Sequence, residues 1–374
     1  MIGKDVACSV VMGPTVRSSE SPLIIVHDYL TQRGGAERLV LSMLRALPDA
    51  ELVTSIYEPS KTFPEFAEHR IHTLWPSRVA LLRRNHRLAL PVLAQAFNSF
   101  STTEDLLCSS SGWAHGARTT GRKTVYCYTP PRWVYAPDSF RGGRKPTAAA
   151  LRVVAPLLGR WDRRAAASAD VYLTSSQAMA NRIRDVYRLE AEVLPPPMLL
   201  TSDVGAAVAD LPTCYALVVS RLQPYKNVDQ AIEACSSLGI PLVVVGHGPE
   251  LARLRARAIG RQVIFLQGLS EQQLHRVYAK ARVLIAPAYE DYGFTPLEAG
   301  ARGVPVVALA EGGYLDTVID DVTGLLYSRG SLKEALAAAL GRTWNPMVMR
   351  AHIATFSEDR FVERLRHVVL GVDA

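Results

Sequence analysis

The sequence predicts an α/β protein built from two doubly wound, parallel-sheet domains, and three observations carry that expectation. Short continuous apolar runs alternate with helical patterns, and a run of three prolines, Pro195 to Pro197, divides the chain near its middle. The length of 374 residues suits two domains, at roughly 150 residues each, better than one. Continuous apolar strands followed by helices imply sheets covered on both faces, which is the parallel arrangement.

Residues 1–20 read as a leader of low order, because Lys4 and Asp5 precede a run, Val6 to Met12, too brief for a secretory signal. Leu23 to Val26 is the first strand-like run, followed by a loop and a helical stretch from Gly35 to about Leu47. The same order recurs at 171–173 before 177–188, at 216–219 before 227–238, at 241–245 before 249–258 and at 283–285 before 296–302. Trp75 to Phe97 reads as one helix of the first domain, apolar but with Arg83, Arg84, His86 and Arg87 clustered within it. A second reading makes it an interfacial helix that docks on a membrane. The three prolines forbid helix and form a stiff connector, and Thr201 to Pro212 is small and polar, so the boundary falls at about 195–212. The expected organisation is a leader at 1–20, a first domain at 21–200, a second at 201–345 and a terminal helix over 346–374. That helix carries Phe356, Phe361, Leu365, Val368 and Val369 at helical spacing and is expected to pack back toward the first domain.

Composition excludes several classes. Hydrophobic residues make up 48% and charged residues 21%, the balance of a chain with sizeable cores rather than of disorder or coiled coil. No stretch reaches the ~18 apolar residues of a spanning helix. The five cysteines are odd in number and show no CxxC spacing, which supports neither a disulfide framework nor a zinc site and points to a reducing cytoplasm. The net charge of +7 is uneven: residues 1–195 hold 25 Lys/Arg against 17 Asp/Glu, and the remainder holds 17 against 18. The basic groups cluster at Arg83, Arg84 and Arg87, at Arg118, Arg122 and Lys123, and at Arg141, Arg144 and Lys145. Such runs are ordinarily solvated faces; their functional reading is attraction to an anionic partner such as a phospholipid surface or a diphosphate. Neither a recognition-helix motif nor an aromatic strand pattern for RNA accompanies them, so nucleic acid is not an expected partner.

Two clusters carry chemistry, and both follow predicted strands, where ligands of open α/β sheets bind. The first is Ser220-Arg-Leu-Gln-Pro-Tyr-Lys-Asn227. Its two cations, Arg221 and Lys226, sit in a loop opening a helix and can converge on one anionic group, as a departing diphosphate requires. The second is Glu290-Asp-Tyr-Gly-Phe-Thr-Pro-Leu-Glu298, after the strand at 283–285. Pro296 suits a first helical turn, Gly293 permits close backbone approach, and free N–H groups at Phe294 and Thr295 favour phosphate oxygens. Glu290 then lies in the loop and Glu298 about one turn into the helix, positioned to hold hydroxyls on two parts of one ligand. The competing reading is a helix with an acidic first turn. No D-x-D metal loop is present.

Glu290 and Glu298 reproduce the E-x7-E motif of retaining glycosyltransferases with the GT-B fold, the large family numbered four. The wider stretch Glu290 to Tyr327 resembles its bacterial mannosyltransferase-like members, and His27 to Val40, Thr174 to Tyr187, Ser220 to Asn227 and Val245 to Leu254 follow in family order. The resemblance implies GT-B: two Rossmann-like domains facing across a cleft. It implies that Arg221 and Lys226 bind the donor diphosphate, that Glu298 holds the nucleotide ribose, and that Glu290 with the backbone near Gly293 and Phe294 holds the donor sugar. It implies further that Gly34 and Gly35 let the first domain close on the phosphates, that the base lies near 265–270, and that no metal or other cofactor is needed. GDP-mannose is the favoured donor, and a glycan, a lipid-linked sugar or a small molecule the acceptor.

One departure stands out. Family members often carry histidine where this chain has Tyr128, in Tyr126-Cys-Tyr-Thr-Pro-Pro-Arg132. A tyrosine does not titrate near neutrality as imidazole does. His115 is a candidate substitute, and Asp28, after the first strand, a weaker candidate for acceptor contact. The competing function is a nucleotide-sugar epimerase or another non-transferase enzyme on the same scaffold. The expected location is cytoplasmic, with possible peripheral contact at an anionic membrane.

Overall fold

Runs of β-branched and aliphatic residues flanked by turn residues give fifteen strands among the described residues, in two large sheets and one small ribbon. The computed structural model describes residues 22–85, 89–135, 145–198, 208 and 211–371. The expected leader at 1–20, the basic residues Arg87, Arg141 and Arg144, and most of the 201–212 stretch lie outside the described residues.

The first sheet comprises β1 (Leu23–His27), β2 (Glu51–Thr54), β3 (Ile71–Thr73), β5 (Asp105–Ser110), β7 (Lys123–Cys127), β8 (Val171–Thr174) and β9 (Glu192–Val193). Its order is β3-β2-β1-β5-β7-β8-β9, with every pairing parallel. A short ribbon pairs β4 (Ser101–Thr102) with β6 (Arg118–Thr119). The second sheet comprises β10 (Ala216–Val219), β11 (Leu242–Val245), β12 (Val263–Leu266), β13 (Val283–Ala286), β14 (Val306–Leu309) and β15 (Gly324–Tyr327). Its order is β12-β11-β10-β13-β14-β15, again parallel throughout. The strand order reverses between β1 and β5 in one sheet and between β10 and β13 in the other. Crevices for ligands open beyond the carboxyl ends of strands at such points. The central strands are buried along their length, as their unbroken apolar sequences predict.

Pro195 to Pro197 run between the sheets: the Pro196 carbonyl accepts from Tyr292 Oη at 3.2 Å, and the next residue, Met198, donates its N–H to Phe356 O. The last segment is two helices rather than one, Pro346–Ala354 and Glu358–Leu370, the second started by the Ser357 hydroxyl accepting from Arg360 N–H. Phe361, Leu365 and Val369 of the second helix enter the first sheet's core beside Leu39, Val40 and Met43 of the helix Gly35–Ala46. Each such buried side chain stabilises the docking by ~1.5–3 kcal/mol. Ser42 and Arg45 both bond Glu358, tying the chain's end to the first domain.

Trp75 to Phe97 is likewise not one helix. It divides into a 3-10 turn at Trp75–Arg78, a helix Ala80–Arg84 and a helix Leu90–Asn98. The breaks fall at Val79 and Asn85, whose backbones are not helical, and Pro91 sits in the first turn of the later helix, where its missing N–H costs nothing. Lys123 is not part of a solvated basic face: it is buried, its ammonium donating to His115 O and to Ser168 Oγ.

Candidate active site

The β10 loop is shaped by two local devices. Asn227 adopts the left-handed conformation, φ 52°, which asparagine tolerates better than most residues, and it starts the helix Val228–Ser237. Its side-chain amide donates to the Pro287 carbonyl at 3.1 Å, stitching the loop after β10 to the loop after β13. Gly246 (φ 149°), after β11, packs so closely that a Cβ would overlap the Ser220 carbonyl. The loop is thereby fixed with Lys226 pointing inward and only 5% exposed.

Lys226 meets Glu290, 64 positions away in sequence, in a direct ion pair. The pair lines a cavity of about 170 Å³ together with Ser220, Pro287, Tyr292, Phe294, Thr295 and Tyr314. Gly293 precedes the helix Phe294–Gly300, and a Cβ there would press within 2.9 Å of the Tyr314 ring. Pro296 is the third residue of that helix, inside the first turn as its chemistry favours. Arg221 lies at the start of the β10 loop, exposed, and no side-chain hydrogen bond or ion pair holds its guanidinium among the described residues. Glu298, one turn into the helix, accepts a short hydrogen bond from Tyr278. Burial pushes its carboxyl above the usual range, opposed by that hydroxyl and by the nearby charges of Arg302 and Arg38.

The cavity is lined by the second domain alone, and the first domain meets its rim at Phe294. Gly35 lies against the Phe294 ring, where a Cβ would come within 3.3 Å. A second cavity, about 120 Å³, is lined by Gly35, Ala36, Tyr128, Ser175 and Pro196 from one side and Asp291, Tyr292 and Phe294 from the other. Tyr128 therefore does reach the cleft, but its hydroxyl is already engaged with Ser109 Oγ at 2.9 Å and the Ala36 carbonyl at 3.1 Å. Gly34 caps the helix Gly35–Ala46 above Glu37, whose carboxylate would meet a Cβ on it at 2.6 Å.

Two expected residues do not face the cleft. Asp28 is 2% exposed, and its carboxylate accepts from the N–H groups of Ser111, Trp113 and Ala114. It folds the loop after β5 rather than contacting an acceptor, and burial pushes its pKa up to about 6. His115 is 3% exposed; Nδ1 faces Ser110 Oγ at 2.9 Å, and Nε2 lies 3.0 Å from Asp162 but out of line for a hydrogen bond. Its ring packs on Trp161, so it is enclosed in the first domain's interior and does not take the place left by Tyr128.

Sequence reasoning passed over the residues that bridge the domains. Arg132 forms an ion pair with Asp291, and Ser176 Oγ donates to the Asp291 carbonyl at 2.6 Å. The Gln177 N–H reaches Asp316 at 3.1 Å, and Arg38 pairs with Glu271 at 2.7 Å. Arg132, Ser176 and Gln177 all stand inside the motifs quoted above, but motif spacing carries no signal about contacts between domains.

Comparison with known proteins bears on the family and the fold. The glycosyl transferases group 1 family matches residues 209–349. D-inositol 3-phosphate glycosyltransferase from Acidothermus cellulolyticus is 32% identical over 244 residues, 55% of this chain and 53% of that protein, so the match spans about half of that relative's length. The human alpha-1,3/1,6-mannosyltransferase ALG2 is 26% identical over 78% of this chain and 80% of its own. Among solved structures, sucrose-phosphate synthase from Thermosynechococcus elongatus superposes with a TM-score of 0.67 at 17% identity, covering 93% of this chain and 98% of that one. The GT-B arrangement of two Rossmann-like domains expected from the sequence is the fold observed. No helix among the described residues is long and apolar enough to cross a membrane.

Proposed function

We propose, taking as premises the glycosyl transferases group 1 domain at residues 209–349 and the GT-B fold of the chain, that this protein is a retaining, metal-independent hexosyltransferase. The reading gives it a nucleotide diphosphate sugar as donor, GDP-mannose favoured, and a glycan, lipid-linked sugar or small molecule as acceptor. The observation that carries it is the convergence of Lys226 and Glu290 in one cavity at the carboxyl ends of β10 and β13.

In this reading Arg221 and Lys226 hold the diphosphate, and Glu298 takes the ribose hydroxyls. Glu290, with the backbone at Gly293, Phe294 and Thr295, takes hydroxyls of the transferred sugar. The Gly34–Gly35 turn lets the first domain approach the phosphates. Lys226 exchanges Glu290 for the diphosphate as donor enters, so the cation is already desolvated where charge will develop. The bond from the anomeric carbon to the diphosphate oxygen breaks as the acceptor oxygen bonds that carbon from the same face. The released diphosphate oxygen accepts the acceptor's proton, and configuration is retained. The two cations supply the charge stabilisation that a metal gives in other transferases.

The test is a thermal-shift panel of GDP, UDP, dTDP and ADP, with and without magnesium, on wild type and Glu298→Ala. A ligand that binds only the folded state raises Tm by mass action. One nucleotide should give a metal-independent shift that Glu298→Ala diminishes; no shift with any nucleotide would remove the reading. Product configuration by NMR then separates retention from inversion.

Exposed Trp75, Val79 and Leu81 share a short segment with Arg78, Arg83 and Arg84, which supports peripheral docking on an anionic membrane that carries a lipid-linked acceptor. Co-sedimentation with liposomes should rise with their anionic lipid content; binding that ignores lipid charge sinks the idea.

A further inference from the structure

We infer that Arg132 is a positioning residue: from the first domain it grips Asp291, the neighbour of Glu290, so that the donor-sugar contact is set only when the two domains are together. This rests on the transferase reading and deepens it.

Four contacts from the first domain fall on a small part of the second. Arg132 pairs with the Asp291 carboxylate, and Ser176 Oγ donates to the Asp291 carbonyl at 2.6 Å. Tyr292 Oη donates to the Pro196 carbonyl at 3.2 Å, and the Gln177 N–H to Asp316 at 3.1 Å. Residues 291 and 292 directly follow Glu290, the carboxylate that faces the cavity. Within the second domain, the Glu290 carbonyl accepts from Gly313 N–H, and its side chain meets Lys226. The peptide joining Glu290 to Asp291 is thus pinned from its own domain through the Glu290 carbonyl, while the Asp291 carboxylate and carbonyl and the Tyr292 hydroxyl are held from the opposite one.

Arg132 is tied to the first domain's interior through its own helix. It opens the short helix Arg132–Tyr135, whose Tyr135 hydroxyl donates to Asp162 at 2.7 Å; Asp162 is wholly buried. The Arg132–Asp291 pair is itself largely enclosed, the side chains 30% and 22% exposed, so solvent screens it less than a surface pair. Glu290 also lies within electrostatic reach of the Arg132 guanidinium. Domain separation would break these outer holds on 291–292 and leave the packing of Gly313 and Phe294 against them. A misplacement of about 1 Å in a substrate-positioning group is enough to cost ~10²-fold in rate. Chemistry is thereby tied to closure, while the nucleotide half of the site, Arg221 and Glu298, is carried by the second domain.

The experiment compares wild type, Arg132→Ala, Arg132→Lys, Asp291→Ala and the double alanine variant, all as full-length chains. GDP is the binding probe by thermal shift, and GDP release from GDP-mannose is the rate probe. Arg132→Ala should lower kcat by ~10- to 10²-fold, with KM for GDP-mannose and the GDP shift within about twofold of wild type. The double variant should be no slower than the worse single variant, since both remove one interaction. Arg132→Lys should recover part of the rate. Loss of the GDP shift in Arg132→Ala would overturn the inference, because Arg132 would then be a direct donor ligand; so would additive losses in the double variant. A wild type that neither binds GDP nor releases it from GDP-mannose would instead count against the donor reading, and the five proteins would be compared on the nucleotide the panel selects. A Tm without nucleotide close to wild type separates these results from misfolding.

Discussion

The two sheets share one doubly wound plan, yet the points where their strand order reverses hold opposite contents. Between β10 and β13 lies a cavity in which Lys226 and Glu290 have each other and an open space to face. Between β1 and β5 the corresponding residues, His27, Asp28, Ser109 and Ser110, are all buried and bound to protein. The difference lies in where loop N–H groups go. In the first domain Asp28 consumes three of them, from residues 111 to 114, and folds the loop down into the crevice. In the second domain the loop after β13 is held from outside, by Asn227 through the Pro287 carbonyl and by Arg132 through Asp291, so the crevice stays open. One topology thus yields one receptive crevice and one filled one, and fold alone would not have said which.

The most severe break of the open crevice is Lys226→Ala. Removing the cation leaves Glu290 facing the developing charge of the leaving group with no compensating donor. We expect kcat to fall ~10²-fold or more, in line with loss of one preorganised charge-stabilising group. Lys226→Arg should recover part of that loss, because charge is kept while the point geometry is not. Steady-state kinetics with GDP-mannose reads both. Wild-type rates in Lys226→Ala would mean that the cavity between β10 and β13 is not where the leaving group sits, and the contrast between the two crevices would lose its functional meaning.

This contrast was only half legible in the sequence. The open crevice is written locally: Ser220 to Asn227 and Glu290 to Glu298 are contiguous segments following clear strands, and their helix starts obey rules of Pro and Gly placement. The filled crevice is written non-locally. An aspartate after a strand looks the same whether it faces a cleft or captures a loop, and the partners of Asp28 lie 83 to 86 positions away. Arg132 and Asp291 are 159 positions apart, so the grip between domains was invisible although both residues stood in quoted motifs. Tyr128 lines the second cavity, and only the structure shows its hydroxyl spent on Ser109 and Ala36. The single helix expected from Trp75 to Phe97 is instead broken at Val79 and Asn85, positions that apolar content alone does not mark.

A gentler probe addresses the filled crevice through pH. Glu37, beneath the Gly34 turn, is 1% exposed, its Oε2 finds no hydrogen-bond partner, and burial pushes its pKa up to about 7 from 4.5. Folding therefore favours the protonated acid. The stability this lends is fully present below the unfolded value of 4.5 and is lost as pH rises through about 7. His27 runs the other way: burial lowers its pKa to about 4 from 6.5, so its contribution is present above 6.5 and lost as pH falls through about 4. Glu37→Gln replaces the acid by a neutral side chain of the same shape. It should raise stability at pH 8 by on the order of 1–3 kcal/mol relative to wild type, and change it little at pH 4.5. The nucleotide shift should change little, since Glu37 reaches the proposed donor site only through the Gly34 turn above it. Tm measured from pH 4.5 to 8.5, with and without GDP, decides this. A Glu37→Gln that lost GDP binding would place this carboxyl in the donor site and erase the division between the two crevices. A gain in Tm confined to high pH would show that the interior beneath the Gly34 turn resists charge.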